Sequence, residues 1–191
     1  MMIDCIKKKR TDKKLIRMQV IKAAAVAFSL KGIKNVRMDD IASGLSISKR
    51  TLYELFSDKE ELLVEVVRIH RDEVKDYMTN VASKADNVLE VIIGFYEMTI
   101  DEFKHTNRCF FEDIKKYPKV VEFLEESRRE NINSAMAFYQ KGVEQGIFRE
   151  DVNYPIVQEM ISGQMDALLK SLPTYSLEEI FETLVFMHMR G

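Results

Sequence analysis

Proline occurs 3 times and glycine 7 times in a chain of 191 residues. That is little punctuation, and no run of alternating β-branched residues lies between turn signals, so the composition favours an all-α fold. No stretch of 18 or more apolar residues exists, so no membrane span and no membrane partner is expected. The N-terminal charges are not followed by an apolar segment of signal-peptide length, and a cytoplasmic protein is expected. Cys5 and Cys109 are far apart and nothing in their spacing pairs them, which fits two free thiols in a reducing compartment. The 3 histidines, His70, His105 and His188, are widely separated and stand in no H-E-x-x-H spacing, so no metal is expected. There is no G-x-S-x-G, P-loop or G-x-G-x-x-G either. Neither catalysis nor a bound cofactor is expected.

What the chain does have is an uneven distribution of charge. Its net of −2 conceals two opposite regions. Residues 1–60 hold 14 Lys and Arg against 7 Asp and Glu, a net of +7, while residues 61–191 hold 15 against 24, a net of −9. A basic first third joined to an acidic remainder suggests that the first third meets a polyanion. With 46% hydrophobic residues the chain is rich enough in apolar side chains to bury a core.

Within the basic third, Met38, Ile41, Ala42 and Leu45 fall on one face of a short helix. Arg37 stands at its start. After a break at Ser46-Ile47, Ser48 is placed to cap a second helix. That helix turns Leu52, Leu55 and Phe56 inward and leaves Lys49, Arg50, Thr51 and Tyr53 to solvent. Ser57-Asp58-Lys59-Glu60 has the pattern of a capping box opening a third. Two short helices joined tightly, the second carrying cations and hydroxyls outward, describe a helix-turn-helix. On spacing alone an ordinary helical hairpin with a solvated outer face fits as well.

The order of residue types separates the two. I-A, then S-K-R-T-L-Y-x-x-F-x-x-K-E-E-L-L, resembles the DNA-binding signature of the TetR family of bacterial transcriptional regulators, over roughly Val20 to Leu63. Three positions depart from the family's usual pattern. Arg37 stands where Ser or Thr commonly caps the first helix of the motif, and Leu55 where an aromatic residue or His is common. Ser46 stands where the turn often has Gly, so it must tolerate positive φ or the turn must differ. The resemblance implies a ligand-responsive repressor that binds double-stranded DNA as a homodimer on a palindromic operator and is released by a small-molecule effector. It implies phosphate contacts from Thr51, Tyr53 and Lys59, and base-edge reading by Lys49 and Arg50. Ser48, Arg37 and the backbone N–H of Met38 complete the expected DNA-binding set.

Around the motif the chain reads as helices throughout. Residues 1–11, with Lys7, Lys8, Lys9 and Arg10, read as an irregular basic arm. A helix from about Asp12 to Lys31 sets Met18, Ile21, Ala25 and Phe28 on one face and stops at Gly32. The expected architecture is a three-helix head over residues 1–58, then an effector-binding and dimerisation bundle over 59–191, about nine helices in all. Phe95, Tyr96, Phe103, Phe110, Phe111, Met136 and Tyr139 are the aromatic and Met side chains that could line an effector pocket. Ile161, Met165, Leu168 and Leu184, on the last two helices, are the candidates for the dimer interface.

Overall fold

Few residues in this chain can stop a helix, and the backbone follows suit. The computed structural model describes residues 2–160 together with Glu179 and Thr183, with side chains from Lys13 onward. Its helices are α1 (Met2–Lys31), α2 (Met38–Gly44), α3 (Lys49–Leu55), α4 (Lys59–Lys84), α5 (Val88–His105), α6 (Arg108–Ile114) and α7 (Pro118–Glu144). A further helical stretch covers 154–160, and no strand occurs among the described residues. The chain is all-α, in line with the fold expected from composition. The expected N-terminal arm differs in backbone: α1 begins at Met2. Lys and Arg are good helix formers, and nothing between Met2 and Gly32 interrupts them.

The helices divide into two compact units. The first comprises Met1–Val74 and Phe103–Glu126; the second comprises Lys75–Glu102 and the chain from Ser127 onward.

In the first unit, Val20, Ile21, Ala24 and Phe28 of α1 pack with Ile41 and Ala42 of α2, Leu52 of α3, and Leu62, Leu63 and Val66 of α4. Ile33, Val36, Met38, Phe56, Val67 and Val120 belong to the same core. Each large apolar side chain buried here contributes about 1.5–3 kcal/mol before chain entropy is subtracted. The buried face of α1 is rotated from the expected one: Met18 is 38% exposed and Val20 and Ala24 take the inner positions. The run of three alanines leaves the face of α1 ambiguous, because any of them fits a close helix contact.

Gly32 ends α1 with φ +78, its N–H donating to the Phe28 carbonyl at 2.9 Å. A Cβ there would lie 2.8 Å from Cβ of Cys109, so a side chain is excluded by conformation and by space. Asn107 caps α6 by accepting from the Cys109 N–H, and its own N–H donates to the Ser29 carbonyl at 2.7 Å. The carboxylate of Asp113, only 5% exposed, accepts from the Lys34 N–H at 2.7 Å and from the Lys116 ammonium at 2.8 Å. With the Asn107 side-chain amide donating to the Leu30 carbonyl at 3.2 Å, three hydrogen bonds and a steric fit fasten α6 and its cap to the end of α1 and the turn after it. Glu60 accepts from the Lys119 N–H at 2.9 Å, which ties the start of α7 to the start of α4.

In the second unit, Val88, Phe148 and Tyr154 form the buried centre, with Ile92, Met136, Phe138, Tyr139 and Val143 against them. Asn87 caps α5, accepting from the N–H groups of Leu89 and Glu90. Gly146, with φ +69, closes α7. Its N–H donates to Val143 and that of Ile147 to Gly142, the two bonds of a Schellman motif. The chain then folds back so closely that a Cβ on Gly142 would meet the Phe148 ring. The Tyr154 hydroxyl donates to the Arg149 carbonyl at 2.7 Å, and its ring stacks on Tyr139 at 4.7 Å.

Candidate nucleic-acid interface

α2 starts without a hydroxyl cap. At the position of Arg37 the cap is made by backbone: its carbonyl accepts from the Asp40 N–H at 3.1 Å, and its N–H donates to the Asp40 carboxylate at 3.0 Å. Met38 buries its side chain in the core, so any part it takes in an interface falls to its backbone.

The turn to α3 is a second Schellman motif. Ser46 N–H donates to Ser43 at 3.1 Å and Ile47 N–H to Ala42 at 3.0 Å, with Ser46 at φ 54. Of the two ways the departure from Gly could be met, Ser46 takes the first and adopts the left-handed conformation. Holding a non-glycine residue there costs roughly 1–2 kcal/mol.

Ser48 caps α3: its Oγ accepts from the Thr51 N–H at 3.0 Å and lies 2.8 Å from Thr51 Oγ1. The Thr51 hydroxyl is therefore engaged within the protein, and the residue is half-buried. Leu52 and Phe56 are fully buried, and the Arg17 guanidinium lies 4.7 Å over the Phe56 ring while bonding Glu65 at 3.1 Å. Leu55 is half-buried against the core. Burial of one face turns the other outward. Lys49, Arg50 and Tyr53 stand exposed on it, Tyr53 at 49%.

Neither exposed cation is alone. The Lys49 ammonium donates to Asp39 of α2, and the Arg50 guanidinium donates to Glu54, one turn further along α3, at 2.9 Å. Hydrogen bonding and charge from these carboxylates hold both groups above their ordinary pKa values. The Arg50–Glu54 pair is an i,i+4 spacing visible in sequence. The Lys49–Asp39 pair crosses the turn and has no local signature.

Lys59 begins α4 and points back. Its ammonium donates to the carbonyls of Ile33 and Val36, both at 2.9 Å, clasping the α1–α2 turn. Burial pushes its pKa below the ordinary lysine value, with the charge of Asp113 acting the other way. The cap of α4 is Asp58, one residue after the Ser57 that the capping-box spacing marks. Asp58 accepts from the Glu61 N–H at 2.8 Å, and Glu61 accepts from both the N–H and the hydroxyl of Ser57. Ser57 is left outside the helix because Phe56 is still extended, at φ −143.

The aromatic and Met residues fall into both units. Phe103 stacks on Phe111 at 4.5 Å and Phe110 meets Phe111 edge-on at 5.5 Å, all three in the first. Phe95, Tyr96, Met136 and Tyr139 belong to the second. Met136 and Tyr139 pack around Phe148, and burial raises the Tyr139 pKa. Ile161, Met165, Leu168 and Leu184 lie outside the described residues. Among the described residues no group of His, Cys, Asp and Glu could hold a metal, and no helix is long and apolar enough to cross a membrane.

A short capped helix, seated by Leu52 and Phe56 behind a tight turn and bearing two cations and a tyrosine outward, defines a DNA-binding helix-turn-helix. Residues 20–66 match the family described as bacterial regulatory proteins, tetR family. The match falls on this head, which thus resembles the DNA-binding region of a family of transcriptional regulators.

The chain is 26% identical over 150 residues to the HTH-type transcriptional repressor KstR2 of Mycolicibacterium smegmatis, covering 76% of this chain and 73% of that one. It is 27% identical over 135 residues to the HTH-type transcriptional regulator YhgD of Bacillus subtilis, covering 67% of each. Among solved structures, a transcriptional regulator of Saccharomonospora viridis in complex with choline aligns with a TM-score of 0.74 at 18% identity, over 93% of this chain and all of that one. The ketosteroid transcriptional regulator KstR2 of Mycobacterium tuberculosis aligns with a TM-score of 0.60 at 19% identity, over 92% and 95%. These likenesses extend the shared fold well beyond the head.

Proposed function

We propose that the protein is a cytoplasmic, homodimeric repressor whose paired heads bind a palindromic operator and release it when a small organic effector binds. The observation that carries the reading is the outward face of α3, where Lys49, Arg50 and Tyr53 stand exposed above a buried Leu52 and Phe56. An α-helix of this kind fits the major groove, where Lys and Arg recognise guanine edges and hydroxyls reach phosphates. Lys49 and Arg50 read bases; Tyr53 and Thr51 contact phosphate, with Ser48 setting the helix start beside them. Lys59, with two donors committed to carbonyls, adds a phosphate contact only through the third.

A two-fold dimer sets two such helices about 34 Å apart, one turn of duplex, and this spacing makes the operator a palindrome. One short helix per head offers too few contacts to bind usefully by itself. Dimerisation is assigned to the C-terminal segment that carries Ile161, Met165, Leu168 and Leu184. The effector is assigned to residues 59–191, where Phe95, Tyr96, Phe103, Phe110, Phe111, Met136 and Tyr139 supply apolar surface. Similarity to a ketosteroid transcriptional regulator and to a transcriptional regulator in complex with choline supports a small organic ligand.

The experiment is selection of bound sequences from a random duplex pool at near-physiological salt. A recovered palindrome is the expected result. On that duplex, Tyr53→Ala weakens binding to all sequences alike, whereas Arg50→Ala relaxes discrimination at one base position by about 1–3 kcal/mol. Recovery of nothing above background defeats the reading and leaves the helical bundle as a protein-interaction module.

A further inference from the structure

The basic excess of the first third does not come from the motif that meets DNA. From Arg37 to Phe56 the cations are Arg37, Lys49 and Arg50, and the anions are Asp39, Asp40 and Glu54, a net charge of zero. Asp40 is occupied in closing the start of α2 on the Arg37 N–H. The other two carboxylates are spent on Lys49 and Arg50, the two residues placed to read bases. These pairs do not hold the fold together. All four side chains are open to solvent, Arg50 at 89% and Lys49 at 67%, against 58% for Glu54 and 45% for Asp39. Exposed pairs of this sort contribute little stability.

Their geometry nonetheless has a consequence for binding. Asp39 reaches Lys49 from α2, across the turn, and so fixes the direction in which that flexible side chain points. Glu54 draws Arg50 along the axis of α3. A phosphate that takes either cation merely exchanges one oxygen anion for another, and it leaves an uncompensated carboxylate facing a polyanion. A guanine edge offers acceptors without that full charge, and a bidentate pair with O6 and N7 is directional. Resting on the reading of Lys49 and Arg50 as base readers, we propose that Asp39 and Glu54 are positioning residues that set sequence discrimination by restraining these two cations from indiscriminate phosphate contact. Specificity then arises partly from a cost imposed on the wrong sites.

The test compares the full-length protein with its Asp39→Asn and Glu54→Gln variants. Each is titrated by fluorescence anisotropy against the duplex recovered from the random pool and against a scrambled duplex, over a series of salt concentrations. Each substitution is expected to tighten binding to the scrambled duplex by roughly two- to fivefold, the strength of an exposed ion pair. The gain on the recovered duplex is smaller, so discrimination falls. The salt slope on the scrambled duplex steepens by about 0.9 for each cation released. In a Lys49→Met background the gain from Asp39→Asn disappears, because there is no cation left to release. An equal gain on both duplexes overturns the proposal, as does a gain that survives Lys49→Met, since either means simple charge repulsion. Specific binding by the parent with unchanged variants overturns the proposal alone, whereas a parent that binds neither duplex overturns the base-reading assignment beneath it.

Discussion

Replacing Asp113 with alanine removes an acceptor on which two donors from different parts of the first unit converge. The Lys34 N–H lies 2.7 Å from Oδ2 and the Lys116 ammonium 2.8 Å from Oδ1. A hydrogen bond to a charged group contributes about 1.5–3 kcal/mol. The bond to Lys34 carries most of this, because its donor is a backbone group in a partly buried turn and finds no replacement acceptor in the alanine variant. The Lys116 side chain is 63% exposed, and water replaces its partner at a cost of about 0.2–1 kcal/mol. Removing a buried carboxylate gives some of this back, so Asp113→Ala should lose about 2–3 kcal/mol. Asp113→Asn keeps a neutral acceptor for Lys34 and should lose about 1 kcal/mol, and Lys116→Met less than that.

Urea unfolding followed by far-UV circular dichroism reads these differences. With a slope of about 2 kcal/mol/M, the alanine variant's midpoint should fall by about 1 M. Burial pushes the Asp113 carboxyl up, but the hydrogen bonds from Lys116 and the Lys34 N–H outweigh it, and the net shift is below the ordinary carboxylate value. A depressed carboxylate stabilises the fold fully above its unfolded pKa and loses that contribution as pH falls through the folded one. The gap between parent and alanine variant should therefore be complete at neutral pH and close on acidification. Equal losses for Ala and Asn, or a gap unchanged from pH 7 to below the carboxylate range, would refute this account.

Two further substitutions test the frame of the motif. Ser46→Gly should leave stability equal to the parent or higher by up to about 1 kcal/mol, while Ser46→Val should lose about 1–2 kcal/mol, because only glycine adopts φ 54 without strain. Thermal unfolding of the pair checks the order, and a valine variant as stable as the parent would count against the strained turn. Lys59→Met should lose about 1.5–3 kcal/mol in the absence of any DNA, since the two carbonyls it clasps lose a charged donor. If its only effect is on DNA affinity, the clasp does not matter to the fold.

The features legible in sequence are those whose causes are local. The rarity of Pro and Gly predicts helices, the spacing of Ile41, Leu52 and Phe56 predicts their buried faces, and Ser48 identifies its own helix start. Where two local choices are nearly equal in energy, sequence does not separate them: Ser57 and Asp58 both suit a cap, and the alanines of α1 suit either face. What stays hidden depends on residues distant in the chain. Asp113 looks like one more acid on a solvated helix, and only the approach of Lys34 makes it a buried acceptor. Lys59 looks like a free cation until the carbonyls of Ile33 and Val36 are placed beside it. The candidate DNA-reading residues are legible by resemblance, but the carboxylate across the turn that engages Lys49 is not.

The way the chain is shared between its two units has a practical consequence for anyone recombining regulators. The boundary is crossed at residues 74–75, 102–103 and 126–127, and each crossing falls inside a helix, α4, α5 or α7 in turn. No loop separates the parts, unlike the exposed linkers at which domains are ordinarily joined. Phe110, Ile114, Val120 and Phe123 all come from after the first return and pack on the core of the head. A hybrid that grafts only residues 1–74 onto a foreign sensor would discard that layer and expose the apolar surface it covers. Transferring the reading head intact means transferring Phe103–Glu126 with it, as two pieces of sequence that make one piece of structure.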